Sequence, residues 1–182
     1  RLRRLDFRPG RDAGTGSNPR ALFDGFARFL AAHPEATGRV VWVTVGPHTD
    51  AEVRAPDGVV VERHGVRPNA EALALAATCH ALYLPLTVPP PSGSQFVQQK
   101  VYEYAALGRP VVVVGDANEA TEVLGSLAAR VPRGTTEAVA AGVADVLATL
   151  WATGPRVPTP RPVPTQADVA AACADDLLAL AA

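Results

Sequence analysis

The chain has 182 residues, enough for one domain with a full core, and balances 17 basic against 18 acidic side chains. A formal net charge of −1 gives no electrostatic basis for binding nucleic acid or an anionic membrane surface. Cys79 and Cys173 lie too far apart to suggest a disulfide framework or a zinc site, which points to a reducing cytoplasm.

No apolar run approaches the roughly 20 residues of a membrane span, and the N-terminus does not read as a signal peptide. The chain begins at Arg1 and has no methionine, so it reads as a fragment of something longer. Lys100 is the single lysine; with heavy Ala, Gly and Pro usage this suggests the bias of a GC-rich genome.

Leu5–Phe7 is a short candidate strand, followed by a Gly/Pro-rich loop from Pro9 to Pro19. Asn18-Pro19 reads as a helix cap with proline in the first turn. Leu22, Phe26, Phe29 and Leu30 then recur with a helical period. Arg39–Val45 is an almost continuous apolar run, as expected of a strand buried on both faces. Val59–His64 is a shorter strand, and Asn69 is expected to cap a helix reaching about Cys79.

Ala81–Leu86 is a further strand, with Pro85 placing it at its end or beside a sheet edge. Pro89-Pro-Pro-Ser-Gly-Ser-Gln95 is a loop leading into a helix that stops at Gly108, and Pro110–Gly115 is the next strand. Ala120–Leu127 reads as helix, Ala129–Val131 as a short strand and Thr135–Trp151 as a long helix. Strands alternating with helices predict a doubly wound, Rossmann-like parallel α/β sheet. The expected organisation is a domain over 1–154, a proline-rich linker over 155–164 and a C-terminal helix over 165–182, whose Val169, Cys173, Leu177 and Leu180 form an apolar row.

In an open parallel sheet, ligands bind outside the carboxyl ends of the strands. The segments to inspect are therefore Phe7–Asn18, Gly46-Pro47-His48, Gly65-Val66, Thr87–Gln95 and Gly115-Asp116. Ser92-Gly93-Ser94 before a helix N-terminus could cradle a phosphate, although such loops are also common as ordinary turns. Glu103 sits about one turn inside the helix and could accept both hydroxyls of a ribose. The same spacing also suits a surface pair with Lys100. Tyr102 and Tyr104 are expected to pack. His48 follows a strand end and could touch a ligand, while His33, His64 and His80 carry no catalytic pattern.

The stretch Lys100-x-x-Glu-Tyr-x-Ala-x-Gly-x-Pro-Val-Val resembles the signature of GT-B glycosyltransferases, especially the retaining, family-4-type ones. Asn18–Phe26 is similar to the first helix of their donor domain, and Leu82–Pro85 to the strand before the donor loop. The resemblance spans about Asn18 to Trp151 and implies the C-terminal, donor-binding half of a two-domain enzyme. It implies a nucleotide-diphosphate sugar as donor, no cofactor or metal, and a sugar or glycolipid acceptor brought by an N-terminal domain. A peripheral membrane association of the full-length enzyme would follow.

In such enzymes Glu103 would hold the donor ribose. The first glutamate of their E-x7-E pair falls here on Gln95, which can hydrogen-bond a sugar hydroxyl but carries no charge. The basic residues that neutralise the departing diphosphate would be Arg8 or Arg11, since no lysine lies near the first helix. Two other readings remain open: a non-catalytic interaction or regulatory module that keeps the fold, and a Rossmann-like epimerase acting on the same sugar nucleotides.

Overall fold

The structure, a computed structural model, describes residues 2–7 (as backbone), 20–47, 55–86, 98–154 and 157–161. Six strands form one parallel sheet: β1 (Leu2–Phe7), β2 (Val40–Val45), β3 (Val59–Arg63), β4 (Ala81–Pro85), β5 (Val111–Val114) and β6 (Ala128–Val131). Their spatial order is β3-β2-β1-β4-β5-β6. The chain thus winds outward from β1 to one edge, crosses back beside β1 and winds out to the other edge. That is the doubly wound arrangement expected from the alternation of elements.

Two helical layers cover the sheet because its strands β2, β4 and β5 are apolar on both faces. In β2 every residue is buried, with Val40 and Trp42 in one core cluster and Val41, Val43 and Val45 in the other. Helices α1 (Arg20–Ala32) and α5 (Thr136–Thr153) cover the first face with Leu22, Phe26, Phe29, Val143 and Leu147. Trp42 is its centre, meeting Phe26 and Tyr83 edge-on at ring centroid distances of 5.7 and 6.2 Å. Helices α2 (Asn69–Ala77), α3 (Gln99–Leu107) and α4 (Glu119–Leu124) cover the other face through Ala72, Ala76, Val101, Tyr104 and Leu124.

The ends of the helices follow local chemistry. Asn118 and Thr121 form a reciprocal capping box at the start of α4, and the Thr135 hydroxyl accepts from the Ala138 amide at the start of α5. The helical stretch expected over Ala120–Leu127 divides into α4 and a 3-10 turn, Gly125–Leu127. The cap expected at Asn69 is absent. Pro68 is the capping residue of α2, with no side-chain cap, and Asn69 is the first helical residue.

Beyond α5 the chain passes to the opposite layer. The Thr159 amide donates to the Gly108 carbonyl and the Arg161 amide to the Ala105 carbonyl, each at 2.9 Å. The Arg161 guanidinium reaches the Leu124 carbonyl at 3.2 Å. Residues 157–161 therefore form a strap across the C-terminal ends of α3 and α4. No helix among the described residues is long and apolar enough to cross a membrane.

Candidate functional site

The sheet reverses its winding between β1 and β4, and a crevice is expected beyond the carboxyl ends of those two strands. The pairing itself opens it. β1 is registered with β2 over its whole length, from Leu2↔Val40 to Phe7↔Val45, but with β4 only at Arg4↔Ala81 and Leu5↔Leu82. Past Leu82, β4 continues alongside β5 to Pro85↔Val114. Pro85 has no amide hydrogen to give β1, so it sits without penalty where that pairing has already ended. The strand is interior to the sheet, and its end, the first of the two places expected for Pro85, is where the residue lies.

Helix α3 follows this strand end. Its first turn is tied back by the Gln98 side chain, which donates to the Pro85 carbonyl at 3.5 Å. Val101, Tyr104 and Ala105 are buried against the sheet, and Gly108 ends the helix in the left-handed conformation with φ 65°. With that face fixed inward, Glu103 projects sideways toward α2. It is half-buried, and the Asn69 side-chain amide donates to Glu103 Oε1 at 3.3 Å. A half-buried carboxylate on the helix after the switch-point strand, held from a second helix, is an acceptor of hydroxyl or amide hydrogens.

A second polar cluster ties the neighbouring strand ends together. Arg133, just past β6, donates through Nε to Asp116 Oδ2 at 3.2 Å and through Nη2 to the Leu86 carbonyl at 2.9 Å. One guanidinium thus staples the carboxyl ends of β4, β5 and β6. Asp116 lay in a segment singled out from sequence, but Arg133 did not. The Val131-Pro-Arg-Gly turn carries no sign that its arginine reaches back to residue 86.

Of the expected site residues, Glu103 alone belongs to the described residues; Arg8, Arg11, His48, Ser92, Gly93, Ser94 and Gln95 lie outside them. Tyr104 packs as expected and is buried. His33 stacks obliquely on Phe29 at 4.9 Å and lies 3.3 Å from Glu35, at the far end of α1. His64 follows β3, with Nε2 3.8 Å from a Glu62 carboxylate oxygen.

No family model and no curated protein matches the chain. Solved structures do. An alpha,alpha-trehalose 6-phosphate synthase from Burkholderia multivorans superimposes with a TM-score of 0.56 at 18% identity, covering 85% of this chain and 35% of that one. A UDP-forming alpha,alpha-trehalose-phosphate synthase from Burkholderia xenovorans gives 0.54 at 18% identity, covering 85% and 37%. A third, from Burkholderia vietnamiensis, gives 0.51 at 18% identity, covering 84% and 37%. What is shared is the fold. The chain spans little more than a third of each of these structures, and its Rossmann-like domain corresponds to the C-terminal half of a GT-B architecture.

Proposed function

We propose that this domain binds the nucleotide-diphosphate sugar of a glycosyltransferase and presents it to an acceptor held by a second domain. The observation that carries the reading is the placement of Glu103. Its carboxylate stands on the helix that follows the switch-point strand, partly withdrawn from solvent and oriented by Asn69. An ionised carboxylate there can accept the two vicinal hydroxyls of a ribose at once, while the N-terminal end of α3, positive by the helix dipole, suits the charge of the phosphates. The signature around Glu103 and the fold shared with trehalose-phosphate synthases, two of them UDP-forming, support the same reading.

In the proposed complex Ser92, Gly93 and Ser94 line the diphosphate, Gln95 reaches the sugar, and Arg8 or Arg11 offsets the charge that develops on the departing nucleoside diphosphate. The finer assignment to a retaining, family-4-type enzyme rests on the stretch from Lys100 to Val114. The donor domain is proposed to extend over 1–154, with the linker over 155–164 and a helix over 165–182 packing toward the partner domain. Transfer requires that partner, so the domain by itself is expected to bind nucleotide without turnover.

The test is calorimetric titration with UDP, GDP and ADP, repeated on Glu103→Ala. Hydrogen bonds to a charged group contribute about 1.5–3 kcal/mol each, so the variant should lose at least about 10-fold in affinity for the preferred nucleotide. Binding of none of the three, or equal binding by the variant, would overturn the reading in favour of an interaction module.

A further inference from the structure

Asn69 occupies an unexpected position. Asparagine before a helix ordinarily caps it by turning its side chain onto the helix's own amides. Here Pro68 takes the capping position, Asn69 is inside the helix, and its Nδ2 donates to a carboxylate 34 residues later in the chain. The contact joins the first turn of α2 to the middle of α3 and is made by an exposed amide on a half-buried glutamate.

A glutamate side chain has three rotatable bonds, and its terminal torsion is broad. Accepting two neighbouring hydroxyls requires the plane of the carboxylate to match the plane of the diol, which an untethered side chain meets only part of the time. A carboxylate offers about four acceptor directions. One bond to Oε1 therefore fixes its plane and leaves capacity for two hydroxyls. We infer that Asn69 is a positioning residue that sets the preference of this site for ribonucleotides over 2′-deoxyribonucleotides, by fixing the carboxylate plane of Glu103. The inference rests on the ribose-binding reading of Glu103 and adds the residue that makes it selective. A deoxyribose offers one hydroxyl of the two, so the oriented carboxylate discriminates; a swinging carboxylate can reorient toward the remaining hydroxyl and discriminates less.

The experiment measures the affinity of the chain for UDP and for 2′-deoxy-UDP, with the GDP or ADP pair substituted if that base is preferred. Five proteins are compared: wild type, Asn69→Ala, Asn69→Gln, Glu103→Ala and the Asn69→Ala/Glu103→Ala double variant. Thermal unfolding confirms that each is folded, which an exposed position in the first turn of a helix favours. Wild type should prefer the ribonucleotide by about 10–100-fold, the effect of one charge-assisted hydrogen bond. Asn69→Ala should cut that ratio to a few-fold, and Asn69→Gln, which keeps an amide donor, should recover part of it. In the Glu103→Ala background, Asn69→Ala should change nothing further.

A wild-type ratio retained by Asn69→Ala, with the ratio lost in Glu103→Ala, overturns the inference and leaves the ribose-binding reading standing. An unchanged affinity and ratio in Glu103→Ala overturns that reading and the inference with it. A purely structural role for Asn69 would weaken both nucleotides equally and leave the ratio at its wild-type value, which also overturns the inference.

Discussion

Gly108→Ala is expected to destabilise the domain far more than a glycine replacement at a helix end ordinarily does. Gly108 has φ +65°, and a Cβ placed there would lie 2.3 Å from Pro160 N and Thr159 C. Both are backbone atoms and cannot rotate away as a side chain would. The substitution therefore carries two costs. A left-handed conformation costs an alanine about 1–2 kcal/mol. Displacing the strap also removes the bonds from Thr159 N to Gly108 O, from Arg161 N to Ala105 O and from Arg161 Nη1 to Leu124 O. At about 0.5–1.5 kcal/mol each, these add roughly 1.5–4.5 kcal/mol. The sum, about 3–6 kcal/mol, is a large fraction of the 5–15 kcal/mol that typically holds a domain together.

Gly38→Ala is the internal control. Gly38 has nearly the same φ, +71°, but nothing lies within 4 Å of a Cβ there. It should show the conformational cost alone. For a chain of this size each kcal/mol moves Tm by about 2–4 °C. Scanning calorimetry should then give a drop of about 6–24 °C for Gly108→Ala and about 2–8 °C for Gly38→Ala. Equal drops would refute the idea that the strap is seated on Gly108.

Two further outcomes follow from packing and charge. Gly25→Ala places a Cβ 2.6 Å from Val143 Cγ1 across the α1–α5 contact, and should destabilise by about 1–3 kcal/mol in urea melts. Adding Val143→Ala to that variant should remove the Cγ1 contact but leave the one at 2.7 Å to the Val143 Cβ, so the double variant is only somewhat less unstable than the two single effects added together. Glu35 has its carboxyl held below the ordinary glutamate range, first by a backbone hydrogen bond and then by His33, with desolvation opposing. A lowered carboxyl favours the folded state above the ordinary value and loses that contribution as pH falls through the lowered one. Tm measured from about pH 6 down to about pH 3 should therefore fall less steeply in Glu35→Gln than in wild type.

The sheet was legible wherever a strand is apolar on both faces. Val40–Val45 and Val111–Val114 announce themselves because a central strand in a doubly wound fold has no polar side. β1 did not. Arg3, Arg4 and Asp6 interrupt its pattern, and its full extent from Leu2 appears only through six parallel pairs with β2. Asn69 shows the same limit from the other side. The residue type suits a cap, and local chemistry alone cannot show that Pro68 has taken that place or that α3 lies within reach. Glu103 could be singled out as a candidate because its signature is contiguous in sequence. Its partner on α2 and the staple from Arg133 to Leu86 arise from chain segments that only the fold brings together.

The strap is also among the later parts of the domain to be synthesised. The carbonyls of Ala105, Gly108 and Leu124 are closed by Thr159 and Arg161, which follow the last strand and the last described helix. As the chain leaves the ribosome, β5, β6 and α5 have all been synthesised before these carbonyls can exchange water for their final partners. The helix bearing Glu103 is thus finished last at one end, by residues made some fifty positions later.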